Sequence, residues 1–417
     1  MNVTRVALDT LGCKLNQAET ESLARQLVAA GYELVDSVDE ADIYILNTCT
    51  VTHVADRKSR NLLRQARRRN GRVRLIAVGC YAERSPQELT RIDGVALVIG
   101  NGQKAQVLDR LKELGCPSLS TGQSLYQYGR NRSFVKVHDG CRNFCSYCIV
   151  PLVRSRMESV PVERVVAEIQ NRVADGVKEV VLTGTEIGDY HRGGVDLLGL
   201  LKRVLEETGI TRLRLSSLQP QEISAELLEL WKDSRLCPHF HLSLQSGSDL
   251  VLGRMKRRYT SAEYRRVVAL IREIVPDAAI TTDVITGFPG ETEAEFEESH
   301  NFCQQMSFAR IHVFPYSRRP GTEAAGMSEQ VLEGVKKERV QKTLALAEES
   351  ARSFQERFLG RTMPVLWEQK SGDVWSGYTG NYIRVYIKSH EDLTNQLMPV
   401  KLDSIWKDGV WGRRSTL

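Results

Sequence analysis

Short apolar runs alternate with amphipathic stretches over the first 115 residues, and this rhythm predicts a parallel sheet with crossover helices. The predicted strands are Val6–Leu8, Ile43–Leu46, Leu75–Val78 and Val95–Ile99. A polar stretch from Gly115 to Ser124 then interrupts the pattern and indicates a linker. The sequence therefore predicts an N-terminal α/β domain over residues 1–115.

The same alternation returns in longer units between residues 127 and 356. Its apolar runs are Phe134–Val137, Val180–Leu182, Leu213–Leu215, His239–Leu244, Ala279–Ile285 and Ile311–Phe314. Amphipathic stretches lie between them, such as Pro161–Val173, whose valines and isoleucine fall on one helical face. Six strand-plus-helix units predict a partial (β/α)6 barrel of TIM-like architecture, with functional residues at the C-terminal ends of its strands.

Residues 357–417 differ from the rest of the chain because four of its five tryptophans lie there. Polar and apolar residues alternate from Tyr382 to Lys388, which is typical of a half-exposed strand. We therefore expect a small all-β barrel as a third domain.

Composition and charge exclude several classes of protein but do not otherwise change the predicted fold. The 417 residues are 41% hydrophobic and carry 57 basic against 52 acidic side chains, a net charge of +5, which excludes collagen-like, coiled-coil and disordered chains. Membrane-length apolar runs and a signal peptide are both missing from the sequence, so we expect a cytoplasmic protein that does not enter membranes. In a reducing cytoplasm, nine scattered cysteines favour metal or redox chemistry over disulfides.

The strongest chemical signal is a group of three cysteines, Cys141, Cys145 and Cys148, just after a predicted strand. Three thiolates on a short loop can hold three irons of a 4Fe-4S cluster and leave the fourth iron open for a ligand. The alternative is a structural zinc site completed by a distant thiol such as Cys116 or Cys237.

Three further cysteines, Cys13, Cys49 and Cys80, each follow an apolar run and precede a helical pattern. The carboxyl ends of parallel strands share one edge of a sheet, so these thiols are expected to converge there. Any one of them alone would be a buried small residue, but three in equivalent positions indicate a second three-cysteine cluster. We interpret Cys116, Cys237 and Cys303 as ordinary core or loop cysteines.

The spacing of the tight cysteine group, with Tyr147 just before the third thiol, resembles the signature of the radical S-adenosylmethionine (SAM) superfamily. The resemblance implies that Cys141, Cys145 and Cys148 bind a 4Fe-4S cluster whose open iron is chelated by SAM. It also implies that SAM is cleaved by one-electron reduction.

The combination of an N-terminal three-cysteine domain, this core and a small β-domain is similar to the methylthiotransferase family. Within it, the stretches Gly12–Glu19, Asn47–Thr52 and Ala55–Arg60 look like the branch that methylthiolates threonylcarbamoyladenosine at position 37 of tRNA. The resemblance implies two 4Fe-4S clusters, the second of which, on Cys13, Cys49 and Cys80, carries or supplies the sulfur.

Loops after the predicted core strands carry small and polar residues suited to holding SAM. The stretch Leu182–Tyr190 resembles the superfamily segment near the methionine amino group, although relatives often have a neutral residue where Glu186 stands. Hydroxyl and amide groups past later strands are suited to ribose and carboxylate groups, and relatives often have an acid in place of Gln219. Gly287 belongs to a turn expected near the adenine, or to a tight connection into the helix beginning near Thr292. The expected SAM-binding residues are Tyr147, Gly184, Glu186, Ser217, Gln245, Ser246, Asp283 and Gly287.

Residues 57–74 contain nine basic side chains and no acid, which indicates an RNA-binding surface. Four of them, Arg57, Arg60, Arg64 and Arg68, recur at helical spacing and are expected to form one ridge facing phosphates. A second basic patch contains Arg254, Lys256, Arg257 and Arg258. The C-terminal part resembles the RNA-binding TRAM domain, in which exposed Tyr or Trp would stack on bases with help from nearby basic residues, although its aromatic residues equally suit a core.

The expected partners are the anticodon stem-loop of tRNA and a ferredoxin- or flavodoxin-type electron donor, with the chain itself a monomer. Two close rivals keep the chemistry but use isopentenyladenosine in tRNA or an aspartate of a small-subunit ribosomal protein as acceptor. A third rival is a noncatalytic, metal-stabilised RNA-binding protein, for which loss of Cys148 would unfold the chain.

Overall fold

The computed structural model describes residues 3–116 and 132–415, so most of the predicted linker lies outside the described residues. Among those residues, every helix is too short or too polar to cross a bilayer. The N-terminal strands are β1 (Arg5–Thr10), β2 (Glu33–Leu34), β3 (Ile43–Thr48), β4 (Arg74–Gly79) and β5 (Val95–Ile99). The helices of the same N-terminal region are α1 (Lys14–Ala29), α2 (His53–Arg69), α3 (Cys80–Arg84), α4 (Pro86–Thr90) and α5 (Val107–Glu113).

The N-terminal strands form a parallel sheet in the order β2-β1-β3-β4-β5, which confirms the predicted architecture. Strand β3 is central and buried along its whole length because helices cover both faces. The edge strand β2 was not predicted, since two residues are too few to show a period. The neighbouring strands β1, β3 and β4 end at one edge, where the three predicted cysteines follow within three residues.

The middle of the chain repeats strand and helix. Its strands are β6 (Arg132–Asp139), β7 (Glu158–Ser159), β8 (Glu179–Gly184), β9 (His191–Arg192), β10 (Val195–Asp196), β11 (Arg212–Leu215), β12 (Ser217–Leu218), β13 (His239–Leu242), β14 (Ala279–Thr286) and β15 (Arg310–Pro315). Its helices are α6 (Val150–Val153), α7 (Val162–Ala174), α8 (Leu197–Glu207), α9 (Ala225–Glu229), α10 (Asp249–Arg254), α11 (Ser261–Ile274), α12 (Glu293–Met306) and α13 (Glu333–Glu356).

The six predicted barrel strands are present as β6, β8, β11, β13, β14 and β15, in two sheets ordered β11-β8-β6-β7 and β12-β13-β14-β15. The first sheet is continued by hydrogen bonds of Leu213 with Arg235 and Cys237 at 2.7 and 2.8 Å. The prediction of a partial barrel is confirmed. Strand β13 ends at Leu242, earlier than predicted, and the chain then turns at Gln245, whose φ is +69°.

The C-terminal strands form a closed barrel in the order β16-β17-β18-β20-β19, which confirms the all-β prediction. They are β16 (Thr362–Ser371), β17 (Val374–Thr379), β18 (Arg384–Lys388), β19 (Leu397–Trp406) and β20 (Gly409–Arg414). Trp367 and Trp375 fill its core, so these two aromatic rings are structural rather than exposed for base stacking.

Tyr382 packs against the partial barrel rather than standing exposed for base stacking. Its ring lies 4.0 Å from the Arg214 guanidinium carbon and 4.7 Å from the ring centre of His239. Arg214 in turn donates to the Gly380 carbonyl at 2.9 Å and is paired with buried Glu179 at 2.8 Å. Tyr382 is therefore part of the contact between the two barrels. Among the C-terminal aromatic residues, Tyr386, Trp406 and Trp411 form a separate edge-to-face cluster in which both tryptophans are half-buried.

The described residues divide into two compact units. The first contains residues 3–116, 138–158 and 317–325, and the second contains 132–137, 159–316 and 326–415. All six predicted cluster cysteines belong to the first unit, whereas the predicted SAM-binding residues other than Tyr147 belong to the second. The two units are considered separately below.

Candidate active site

In the first unit, the thiols of Cys13, Cys49 and Cys80 come together beyond the ends of β1, β3 and β4. Gly12 brings two of them close, because its φ of +103° suits glycine and an added Cβ would lie 2.8 Å from both Cβ and Sγ of Cys49. Burial raises the pKa of Cys49 to about 12, and the neighbouring Cys13 and Cys80 thiols act in the same direction. Cys13 and Cys80 are therefore both close enough to Cys49 to affect its pKa, and a shared cluster on these three thiols stays a prediction.

Asn16 on α1 ties this arrangement to the sheet. Its amide nitrogen donates to the carbonyls of Leu11 and Thr48 at 2.7 and 3.1 Å, and these residues lie just before two of the cysteines. The Asn47 amide donates back to the Asn16 carbonyl at 2.9 Å. Cys80 accepts a contact of 3.4 Å from the Asn101 amide. Buried Asn16 and Asn47 therefore hold the backbone beside Cys13 and Cys49, and Asn101 contacts the sulfur of Cys80.

The second group of cysteines lies on the loop that follows β6. Asn143 directs its backbone and side-chain nitrogens to the Cys141 Sγ at 3.4 and 3.3 Å, and the Cys148 N–H donates to the Cys145 carbonyl at 3.0 Å. Phe144 has a φ of +47°, which bends the loop between the first two thiols. Cys145 is buried, whereas Cys141 and Cys148 are partly exposed.

Iron–sulfur clusters and a single zinc ion require different spacings between thiolate sulfurs. Tetrahedral zinc, with Zn–S bonds of about 2.3 Å, would draw thiolate sulfurs to roughly 3.8 Å from one another. Within the described ranges, the one group of three ligand residues whose ligand atoms all lie within 4.8 Å of one another is His241, Asp283 and His312, and neither cysteine set belongs to it. In a cluster each thiolate binds a different iron, so a wider spacing fits.

Arg154 connects the surroundings of the two cysteine sets. Its guanidinium is buried and donates to both carboxylate oxygens of Glu19 at 2.9 Å, to Asp139 at 2.9 and 3.0 Å, and to Asn16 at 2.9 Å. Glu19 and Asn16 lie on the helix that follows Cys13, and Asp139 lies two residues before Cys141. Desolvation raises the pKa of the Cys13 thiol, and the positive charge of Arg154 opposes that rise.

A second buried network holds the loop after Cys49. Arg319 donates to the Thr50 hydroxyl and to the Asp56 carboxylate at 2.8 Å each, and Arg84 reaches the same carboxylate at 3.0 Å. The Thr50 hydroxyl donates to Asp56 at 2.6 Å. Sequence reasoning missed Arg154 and Arg319, because most of their partners, such as Glu19 for Arg154 and Thr50 for Arg319, are more than 130 residues away and only folding brings them together.

In the second unit, the predicted SAM-binding residues lie at or just beyond the C-terminal ends of β8, β11, β13 and β14, except Asp283, which lies within β14. Gln245 is held by β14, since its N–H donates to the Asp283 carbonyl at 2.8 Å and its carbonyl accepts from Ile285 at 2.9 Å. Ser246 is buried and accepts from the Ser248 N–H at 3.2 Å. Gly184 is the last residue of β8, and Ser217 the first of β12.

Glu186 contacts other protein groups. The Gln219 amide donates to it, and it lies beside Glu222, whose carboxylate accepts from the Gln219 N–H at 2.8 Å. Burial raises the pKa of both carboxyl groups, and the proximity of Glu186 raises that of Glu222 further, so the pair retains a proton more readily than isolated carboxyls do. The Arg257 guanidinium reaches Gln219 at 3.0 Å.

Gly287 occupies a tight turn before α12, which is one of the two alternatives that the sequence predicted for it. Its φ is +71°, its N–H donates to Glu291 at 2.6 Å, and an added Cβ would lie 2.4 Å from the Lys336 side chain. Thr292 caps the helix together with Glu295. A contact of Gly287 with adenine remains a prediction.

Known proteins resemble the chain over nearly its whole length. The Radical SAM superfamily pattern matches residues 135–303, and that of uncharacterized protein family UPF0004 matches residues 5–100. Threonylcarbamoyladenosine tRNA methylthiotransferase MtaB of Bacillus subtilis (strain 168) is 37% identical, with 95% of this chain and 93% of that protein covered. The tRNA-2-methylthio-N(6)-dimethylallyladenosine synthase of Syntrophotalea carbinolica is 32% identical, with 98% and 99% covered.

This chain belongs to the radical SAM methylthiotransferase family. Among solved structures, the radical SAM methyltransferase TsrM of Kitasatospora setae has a TM-score of 0.57 at 16% identity, covering 88% of this chain and 79% of that one, which supports the fold. Radical SAM methylthiotransferases are enzymes, and membership of the radical SAM superfamily implies SAM and a 4Fe-4S cluster. The noncatalytic rival is thereby set aside.

The basic surface of this methylthiotransferase is narrower than predicted. Arg57, Arg64 and Arg68 are exposed along one face of α2, whereas Arg60 is half-buried and contacts Tyr81 and Glu88. In the second patch, Arg258 is exposed, but Arg254 pairs with Glu295 at 2.7 Å and Arg257 reaches Gln219. An RNA contact by these residues stays a prediction, and its strongest geometric support is the row formed by Arg57, Arg64 and Arg68.

Replacing Arg57, Arg64 and Arg68 together with alanine is expected to weaken binding of an anticodon stem-loop roughly 10- to 100-fold. The slope of log K against log salt should become shallower by about 2, because about 0.7 to 0.9 counterion is released per phosphate contact. Fluorescence anisotropy across a salt series measures both values. The control, Arg110→Ala with Lys112→Ala, removes exposed charge from α5 and should leave the slope unchanged. An unchanged slope in the triple variant would exclude the row from the RNA interface.

Proposed function

We propose that this chain converts N6-threonylcarbamoyladenosine at position 37 of tRNA to its 2-methylthio derivative. The observation that carries the proposal is the presence of two separate three-thiol sets in a chain that is 37% identical, almost end to end, to a methylthiotransferase named for this nucleoside. Three thiols are suited to hold the radical SAM cluster, and a second set of three is suited to hold a separate cluster that supplies sulfur.

The first set, Cys141, Cys145 and Cys148, would hold the 4Fe-4S cluster that the superfamily implies. Cys13, Cys49 and Cys80 would hold a second 4Fe-4S cluster. Its support is the convergence of three thiols beside buried amides and the Arg154 guanidinium, a polar surrounding that tolerates an anionic group. When bound, the clusters and SAM supply sulfur, a methyl group and the radical that removes hydrogen from adenine C2, a position too weakly acidic for a side-chain base.

The side chains of the protein then position reactants rather than transfer protons. Asn16 fixes the backbone beside Cys13 and Cys49, and Arg154 donates to the Asn16 side chain. Asn143 directs two nitrogens to the Cys141 sulfur. In the second unit, Gln245 and Ser246 lie in a turn held by β14, where polar atoms are available for SAM. Such preorganised groups keep the reacting atoms in register and exclude water.

The tRNA anticodon stem-loop would lie on the exposed arginine row of α2, with the C-terminal barrel as a further RNA contact. On that barrel, the Tyr386, Trp406 and Trp411 cluster, with Lys407 4.1 Å above the Trp406 ring, is the best placed to meet bases. A ferredoxin- or flavodoxin-type donor would supply electrons to a monomeric chain in the cytoplasm.

Nucleoside mass spectrometry tests the proposal in a host that lacks its own threonylcarbamoyladenosine methylthiotransferase. The 2-methylthio form should appear with the intact chain and with Cys116→Ala, which removes a buried thiol outside both sets. It should be absent with Cys13→Ala. Unmodified threonylcarbamoyladenosine in the presence of cluster-loaded wild-type protein would overturn this acceptor, and isopentenyladenosine and the ribosomal aspartate would be assayed next.

A further inference from the structure

The partial barrel carries a group of polar side chains of which only Asp283 was expected to bind SAM. Alternate residues of β13, β14 and β15, among them Phe240, Val284 and Ile311, pack into the hydrophobic core. The residues between them, including His241, Asp283 and His312, must face the opposite side of the sheet, which is the barrel interior. Asp283 and His312 are paired in the strand register and are only partly buried.

These three side chains are close enough to bind one small polar group. The His241 Nε2 lies 3.3 Å from the Asp283 carboxylate, and the nearest ligand atoms of all three residues lie within 4.8 Å of one another. The other ring nitrogen of His241, Nδ1, is 2.9 Å from the Thr281 hydroxyl, and this contact fixes the orientation of the ring. The group therefore presents a carboxylate acceptor beside an imidazole donor in a preset geometry.

The group also lies next to the predicted SAM site. The Asp283 carbonyl accepts the Gln245 N–H at 2.8 Å, so the residue that holds the SAM-binding turn also carries this side chain into the interior. Asp283 and Ile285, the two residues of β14 that hold this turn, are two positions apart, which is about 7 Å along a strand. A substrate that reacts with a SAM-derived radical must lie beside SAM, and it would contact this surface.

We infer that His241, Asp283 and His312 form the subsite that recognises the threonylcarbamoyl arm of the nucleoside. This inference rests on the proposed function. The arm offers ureido N–H groups and a hydroxyl that can donate to Asp283, together with a carboxylate that can accept from the His312 ring. The dimethylallyl group of the alternative acceptor is a hydrocarbon and offers no hydrogen-bonding atoms to these side chains. A site built from hydrogen-bonding groups rejects an analogue that lacks the matching polar atoms.

The test compares binding of three synthetic anticodon stem-loops that carry threonylcarbamoyladenosine, dimethylallyladenosine or adenosine at position 37. Wild-type protein should bind the first loop most tightly. His312→Ala should reduce its preference over the adenosine loop roughly 10- to 100-fold, the usual worth of a hydrogen bond to a charged group. His312→Gln, which keeps a donor, should recover part of it. The control His390→Ala removes an exposed histidine of the C-terminal barrel and should have no effect.

Three outcomes would overturn the inference. If His312→Ala weakened the binding of all three loops equally, the residue would be merely structural. If the preference for the threonylcarbamoyladenosine loop over the adenosine loop did not change, His312 would not belong to the subsite. Stoichiometric zinc or manganese, measured by mass spectrometry in wild type and lost in His312→Ala, would assign the group to a metal ion instead. Failure of the proposed function is distinguishable, because wild-type protein would then fail to methylthiolate the threonylcarbamoyladenosine loop at all.

Discussion

Replacing Arg154 with methionine is expected to lower the free energy of unfolding by roughly 3–5 kcal/mol, because it removes the buried guanidinium that pairs two largely buried carboxylates, leaving Asp139 without it and Glu19 paired with Lys104. Arg154 makes five hydrogen bonds of 2.9–3.0 Å to three residues, and its side chain is 3% exposed. The variant should also lose iron from both cysteine sets, since Glu19 and Asp139 flank them. Anaerobic urea denaturation and iron content per chain measure the two effects.

Two further variants separate the causes of this loss. Arg154→Lys keeps the charge but cannot form the same paired contacts, so it should fall between wild type and methionine. Arg156→Met removes a neighbouring arginine whose side chain is 82% exposed, and its stability should stay within about 0.5 kcal/mol of wild type. If Arg154→Met retained wild-type stability and iron, the network would not be what holds the cysteine sets.

The fold could be read from the sequence wherever burial imposes a period. All four predicted N-terminal strands and all six barrel strands are present, because each is a run of apolar residues that must be covered by helices. The convergence of Cys13, Cys49 and Cys80 was also predictable, since parallel strands end at a common edge. Short-range spacing alone indicated the Cys141–Cys148 loop.

Partnerships between distant polar residues could not be read in this way. Spacing placed Arg60 on the same helical ridge as Arg57, but its actual partners, Tyr81 and Glu88, lie beyond its own helix. The same limit applies to Arg257, which was expected on an RNA-binding patch and contacts Gln219. An arginine run gives the amount of charge, whereas the direction of each side chain depends on acids and hydroxyls from other elements.

Substitution of Cys148 by alanine should abolish formation of 5'-deoxyadenosine from SAM, by at least about three orders of magnitude, while leaving the chain folded. Cys148 is partly exposed, and its contact with the Cys145 carbonyl is made by a backbone N–H that alanine retains. The expected cost in stability is below about 1.5 kcal/mol. Reductive SAM turnover measured by chromatography, together with urea denaturation, tests both parts.

Cys13→Ala provides the matched comparison, because it removes one thiol from the other set. It should retain formation of 5'-deoxyadenosine but yield no methylthiolated nucleoside, since sulfur supply and SAM cleavage would be separate duties of the two sets. Loss of both activities in Cys13→Ala, with the chain still folded, would mean that the sets act as one centre. Unfolding of Cys148→Ala to the extent expected for Arg154→Met would instead give that thiol a structural role. The contrast between the two cysteine variants therefore assigns a function to each set, which iron content alone cannot do.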